Sequence, residues 1–179
     1  MTNSGRGEPS RKITLERSYH ATVKELWDLW TTKEGIEAWW GPGGFSVKVR
    51  KLDLRPGGEM SYTMTAIGAD QIKFMQGAGM PLTTEARLTY TEIVKGRRLA
   101  YRHLADFIPG VEPYEVENVV EWHPSGKSVR MVLTLDAMHD EEWTQRSVRG
   151  EESQLEKLAQ ITQCADSASR QQQSRRRAK

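Results

Sequence analysis

The feature that most constrains this chain is a change of hydrophobic period near residue 140. Before it, apolar side chains recur at every second position in short runs; after it, they recur at helical spacing. Met60, Tyr62, Met64 and Ala66 alternate strictly with Glu59, Ser61, Thr63 and Thr65, which predicts a strand with one buried face. Similar runs follow at Ala86–Leu88–Tyr90, Leu99–Tyr101–His103, Val116–Asn118–Val120–Trp122 and Val129–Met131–Leu133–Leu135. Between Phe45 and Leu54 the register slips from Val47 and Val49 to Leu52 and Leu54, so a bulge is expected near Arg50–Lys51. Turns are marked at Arg55-Pro56-Gly57-Gly58, Lys95-Gly96 and His123-Pro124-Ser125-Gly126. Asp140 then reads as an N-cap with Glu141 and Glu142 in the first turn. The helix it opens runs to about Cys164, with Trp143, Val148, Leu155, Leu158, Ile161 and Thr162 on one side. Consecutive strands with short turns make an antiparallel sheet, and a single long helix must bury its stripe on the concave face. The fold expected is α+β, a helix-grip domain whose curved sheet wraps the C-terminal helix.

The N-terminal part fits the same plan. Residues 11–19 alternate as a first strand, and Thr22 with Glu25 forms a capping-box pattern ahead of Leu26, Trp27, Leu29 and Trp30. A second short helix ends at Trp39–Trp40, stopped by Gly41-Pro42-Gly43-Gly44. Residues 67–82 are expected to be a long connection. Gly68, Gly77 and Gly79 would let it hinge, and Phe74, Met75 and Met80 would make it a mobile cover over a pocket mouth. Residues 106–110 form a second loop with apolar residues expected to be exposed. The division expected is a flexible lead at 1–10, one domain at 11–165 and a disordered basic tail at 166–179.

Composition narrows the setting. The chain is 37% hydrophobic and 28% charged, a globular balance, with a net charge of only +2. Much of the positive excess comes from Arg170, Arg175, Arg176, Arg177 and Lys179, and no aromatics interleave with them, so a nucleic-acid partner is not expected. One cysteine, Cys164, permits neither an internal disulfide nor a thiolate metal cage. The opening residues lack the apolar stretch of a signal peptide, and no run is long enough to span a bilayer. A cytoplasmic location is expected.

Two segments together carry a resemblance. Trp39-Trp40-Gly41-Pro42 before Phe45, then Asp53-Leu54-Arg55-Pro56-Gly57-Gly58, resembles the activator of heat-shock-protein-90 ATPase homologue family, within the START-like (SRPBCC) superfamily. The stretch His139-Asp140-Glu141-Glu142-Trp143, followed by Gly150, Leu155 and Leu158, resembles its closing helix. A Trp commonly follows the helix glycine in that family; here Glu151 stands there. The resemblance covers roughly residues 11–163 and implies a helix-grip fold with a hydrophobic cavity, and an association with the stress response. It does not choose a function, because the superfamily holds lipid and hormone carriers, polyketide cyclases and a co-chaperone module.

The candidate ligand-binding residues are Trp40, Tyr62, Met64, Tyr90, Tyr101, His103, Asn118, Trp122, Met131, Leu133 and Gly150. Met-rich, aromatic walls with a few polar tips suit an adaptable apolar pocket, although a solid core draws on the same residues. Asn118 sits among Val116, Val120 and Trp122, and a buried amide needs a partner. Gly150 weakens its helix by about 1 kcal/mol, which suggests close approach of a strand or ligand. His103 reads either as a polar anchor in the cavity or as a satisfied structural histidine. No Gly-x-Ser-x-Gly, phosphate loop or paired metal-ligand histidines occur, so no catalytic residue, metal or cofactor is assigned. The leading expectation is a carrier or sensor for a small hydrophobic molecule. A co-chaperone-like adaptor with a chaperone partner, or a cyclase or hydratase acting on a polyketide-like substrate, is the alternative. A homodimer stays open.

Overall fold

The computed structural model describes residues 11–106, 108 and 110–177, with side chains described through Gln163. The lead at 1–10, Phe107, Pro109 and the last two residues lie outside the described residues. The order is β1 (Lys12–Tyr19), α1 (Val23–Thr31), α2 (Lys33–Trp39), β2 (Phe45–Leu52), β3 (Glu59–Ala66), α3 (Ala69–Gly77), β4 (Thr83–Val94), β5 (Arg98–Ala105), β6 (Tyr114–Ser125), β7 (Ser128–Asp136) and α4 (Glu141–Arg177).

The seven strands form one antiparallel sheet in the order β1-β7-β6-β5-β4-β3-β2. β1 and β2 therefore sit on opposite edges, and α1 with α2 carries the chain between them. The register shifts between Val49 and Lys51, as the slip in the hydrophobic pattern predicts, and again between Tyr90 and Glu92. α4 packs against β1 and α2. Its buried stripe, Thr144, Leu155, Leu158 and Thr162, follows the helical period.

Local chemistry explains why the helices start and stop where they do. The Thr22 hydroxyl accepts from the Glu25 N–H at 3.2 Å, and the Glu25 carboxylate accepts from the Thr22 N–H at 2.7 Å. That closes the capping box on α1. Asp140 caps α4 by accepting from the Trp143 N–H at 2.7 Å. α1 and α2 bring Trp27, Trp30, Trp39 and Trp40 onto the inner face of the sheet, all buried. Trp30 lies at the centre, with ring centroids 4.7 Å from Trp39, 5.6 Å from Trp40 and 5.8 Å from Trp122.

Three expectations need correction. Residues 67–82 are not an irregular connection, since Ala69–Gly77 is helical. Ala69, Gln71, Lys73, Met75 and Gln76 all favour helix, and a short amphipathic turn leaves little period to detect. α4 also continues to Arg177, where a disordered tail was expected from residue 166. After Gly150 the sequence has no Gly or Pro to end a helix, and Ala, Gln and Arg favour one. Ile108, expected to be exposed, is buried with Ala105, Val116 and Met138.

The Arg55–Gly58 turn is tied to β4 at both ends. The Gly57 N–H donates to the Tyr90 carbonyl at 2.7 Å, and the Tyr90 N–H donates to the Gly58 carbonyl at 2.9 Å. A Cβ at Gly58 would overlap the Asp53 carbonyl oxygen, which is backbone and cannot swing aside. Gly58→Ala is therefore expected to destabilise the protein by about 1–3 kcal/mol. Chemical denaturation checks this, and an unchanged midpoint would mean that the turn relaxes freely.

Candidate functional site

Strand pairing decides which side chains share the concave face, because directly opposed residues point the same way. One row runs Tyr90–Tyr101–Asn118–Leu135 and the next Leu88–His103–Val116. Val120 stands opposite Leu133, and Trp122 opposite Met131. Toward β1 this face is filled: Trp122, Met131 and Leu133 are buried in one cluster with Leu155 and Leu158 of α4. The Tyr19 hydroxyl reaches the Leu155 carbonyl at 3.4 Å. Trp122, Met131 and Leu133 thus belong to packed core.

Between Tyr101 and His103 the face turns polar. Asn118, only 1% exposed, finds its partner in His103, whose Nδ1 lies 3.0 Å from Nδ2 of the amide. The amide N–H donates, so Nδ1 accepts and the imidazole is neutral with its proton on Nε2. Burial pushes the His103 pKa below its ordinary value, which reinforces that state.

Toward β3 several inner-face side chains are only partly buried. Trp40 lies over two tyrosines, with centroids 6.3 Å from Tyr62 and 5.9 Å from Tyr101. Its indole faces the Tyr62 hydroxyl. Glu151 of α4 enters the same space, close enough for its charge to bear on both Tyr62 and Tyr101. Burial raises all three: the tyrosines above their ordinary range, and the Glu151 carboxyl to about 7. Tyr62 and Glu151 both keep some accessible surface. Met64, also partly accessible, continues this wall on β3. Tyr90 is buried beside it, with its hydroxyl 3.8 Å from the Met60 sulfur.

The turn after α2 ties α4 to this end of the sheet. The Gly41 N–H donates to Gln154 Oε1 at 2.8 Å, and the Gly43 N–H to Ser153 Oγ at 2.9 Å. Lys157 Nζ donates to the Gly41 carbonyl at 2.9 Å. Gln154 also offsets part of the rise in the Glu151 pKa. Gly41 itself has φ +86°, a backbone state that favours glycine.

The family model for "Activator of Hsp90 ATPase homolog 1-like protein" matches residues 20–163, most of the chain. The chain belongs to this family. A search of curated proteins finds no match. Solved structures share the fold. One, a protein from Chromobacterium violaceum, is 20% identical with a TM-score of 0.69, covering 84% of this chain and 96% of that one. Another, described as the AHSA1 protein from Silicibacter pomeroyi, is 18% identical with a TM-score of 0.67, covering 87% and 99%. A third, CalU16 from Micromonospora echinospora, is 20% identical with a TM-score of 0.60, covering 86% and 76%. At these identities the likeness concerns the fold.

In this member of the family, the Trp-Trp-Gly-Pro segment has two structural jobs. Its tryptophans fill the end of the sheet, and its glycines anchor α4. Among the expected site residues, the structure brings Trp40, Tyr62, Met64, Tyr90 and Tyr101 together near Glu151, with His103 and Asn118 paired in the neighbouring rows. Gly150 corrects one expectation: a Cβ built there meets nothing within 4 Å, so no strand approaches it. α3 sits beside the anchoring turn, with the Gly68 N–H donating to the Gly44 carbonyl at 2.9 Å and Gln71 against Gly44. Of the expected cover residues Met75 is buried, while Phe74 is 65% and Met80 44% exposed. Two clefts lie outside this layer, one at the start of α4 beside Tyr114, Met138 and His139, the other along α3 at Lys73 and Phe74.

Glu151, Ser153, Gln154 and Lys157 are site residues the sequence analysis did not select. Glu151 had a signal: it shares the stripe of Val148, Leu155 and Leu158 at helical spacing, where a carboxylate is out of place. The other three had none, because their role depends on a turn more than a hundred residues away. Among the described residues no group of three or more His, Cys, Asp or Glu is placed to hold a metal ion. No described helix is long and apolar enough to cross a membrane.

Proposed function

We propose that this protein binds a small, largely apolar molecule between α4 and the β3–β5 part of the sheet, as a carrier or sensor. The reading is supported by Tyr62 and Met64, which stay partly accessible on the inner face beside the ring of Trp40. A site of this kind is concave and apolar with few polar groups, which is the usual character of small-molecule pockets. Family membership supports a ligand-binding domain in general terms. In this reading α3 borders the mouth, and Phe74 and Met80 gain an apolar surface when a ligand is present.

The test uses the neutral fluorophore N-phenyl-1-naphthylamine, whose emission rises in apolar surroundings. Saturable binding to the wild-type protein is expected. Trp40→Ala should weaken probe binding by about ten-fold or more, because its ring stands beside Tyr62 and Tyr101. Gly150→Ala, where a Cβ meets nothing within 4 Å, should leave probe binding unchanged and stabilise α4 by up to about 1 kcal/mol. Phe74→Ser should speed probe release while leaving the fold intact. If the wild-type protein does not take up the probe, the reading is wrong.

One observation favours a second reading, a co-chaperone-like adaptor. Ile67, Phe74 and Met80 are 60%, 65% and 44% exposed around α3, an apolar patch of the kind that meets protein partners.

A further inference from the structure

α3 buries one side and leaves the other in solvent. Met75 is buried, and on the side away from it Asp70, Lys73, Phe74 and Gly77 recur at i, i+3, i+4 and i+7, all exposed. These four, with Ala78, line a cleft of about 500 Å³. Phe74 is the large side chain of the stripe and is 65% exposed. Gly77 and Ala78 are the small ones, and a Cβ at Gly77 would meet nothing within 4 Å, so the surface lies open there. Ile67 and Met80, 60% and 44% exposed, extend the apolar surface before and after the helix. Asp70 and Lys73 make no ion pair or side-chain hydrogen bond among the described residues. Elsewhere the sheet pairs its charges strand to strand, as at Lys12–Asp136, Arg98–Glu121 and Arg130–Glu16.

The stripe thus holds both halves of each contact it lacks: an acid and a base, a large apolar side chain and a gap beside small ones. Lys73 is three residues after Asp70, and Gly77 is three residues after Phe74. One side-by-side alignment of two such helices about a two-fold axis therefore serves both pairs. It sets Asp70 of each copy near Lys73 of the other, and Phe74 of each against Gly77 and Ala78 of the other. A two-fold interface requires this kind of self-complementarity, because the same patch meets itself. We infer that α3 is a self-association surface through which two copies of this chain pair about a two-fold axis, with Phe74 as the apolar anchor and Asp70 with Lys73 setting the alignment. It rests on the adaptor-type reading of the α3 patch as a protein contact and names the partner; the ligand-binding reading stands or falls separately. A nine-residue helix is only about 14 Å long. The contact is therefore smaller than the about 800 Å² per partner of a standard interface, and the dimer should be weak, with a Kd of about 10–100 µM.

Sedimentation equilibrium of the full chain at low salt, from about 5 to about 500 µM, reads the association. The weight-average mass should rise toward twice that of the monomer. Phe74→Ala should weaken the association by about ten-fold or more, since the ring is lost from both copies. Asp70→Lys and Lys73→Asp should each weaken it by about ten-fold, because each sets like charges opposite one another across the axis. An equal mixture of these two variants should associate about as well as wild type, because every charged contact across the axis is then between opposite signs. Mixing cannot cure a folding defect, so this rescue separates an interface from a structural role. The inference is wrong if wild type stays monomeric at about 500 µM, if Phe74→Ala leaves the dimer unchanged, or if the mixture associates no better than either variant alone. A monomer at that concentration would leave the patch to a different protein and the adaptor reading intact. Binding of N-phenyl-1-naphthylamine at about 1 µM protein, below the dimer Kd, judges the ligand-binding reading by itself. The wild-type series and Phe74→Ala decide the matter even if the charge variants fail to fold.

Discussion

Glu151→Gln is expected to make the protein more stable at about pH 8, and to change little near pH 4.5. The Glu151 carboxyl titrates near 7 in the folded protein, against an ordinary value of 4.5, because burial penalises its charge. A group whose pKa is raised by folding lends stability while protonated. That stability is complete below about pH 4.5 and is lost as the pH rises through 7. A shift of this size corresponds to about 3 kcal/mol, since each unit is worth about 1.4 kcal/mol. Glutamine keeps the shape and the hydrogen bonding to Gln154 without the charge, so the variant should gain about 2–3 kcal/mol at about pH 8. Urea denaturation of both proteins across this pH range measures the difference directly. A gap that does not vary with pH would show that Glu151 is solvated in the folded state. A natural chain that keeps a destabilising charge fits a functional site better than a packing position.

Trp30→Ala is expected to be the most damaging single change in the aromatic end of the core. Trp30 is 2% exposed and stands between Trp39, Trp40 and Trp122, at 4.7, 5.6 and 5.8 Å. Its indole N–H has no oxygen or nitrogen acceptor among the described residues, so its contribution is packing and ring geometry. Removing the ring leaves a cavity that α1, α2 and β6 cannot close together, at a cost of about 3–5 kcal/mol. For a domain of this size that lowers the melting temperature by roughly 10 °C. It should also loosen Trp40 beside Tyr62 and Tyr101, so probe binding should weaken at temperatures where the variant is still folded. A fall of only two or three degrees would mean that the tryptophans pack independently.

Much of the fold was legible because short-range patterns fixed it. The alternation at Met60–Ala66 gave β3 its face, the slip at Arg50–Lys51 gave the bulge, and Thr22 with Glu25 and Asp140 gave two helix starts. Each of these depends on neighbours within a few residues. α3 was missed because nine residues with few apolar positions produce no clear period, and α4 was cut short because polarity was read as disorder. The candidate site was legible in part. Its aromatic wall followed from the inner-face alternation, but that pattern could not separate the filled half at Met131 and Leu133 from the looser half at Tyr62 and Met64. Both halves use large side chains; only their burial in the folded chain tells them apart.

The sequence by itself determined the strands, the first two helices, the start of α4, the antiparallel sheet and the face each strand buries. Periodicity and capping are local, and a burial requirement acts on every residue of a strand at once. The tertiary structure alone decided that Gly41 and Gly43 hold Gln154 and Ser153. A carboxylate on an apolar stripe is only an oddity in one dimension. Its raised pKa arises from the burial that the folded chain imposes on it.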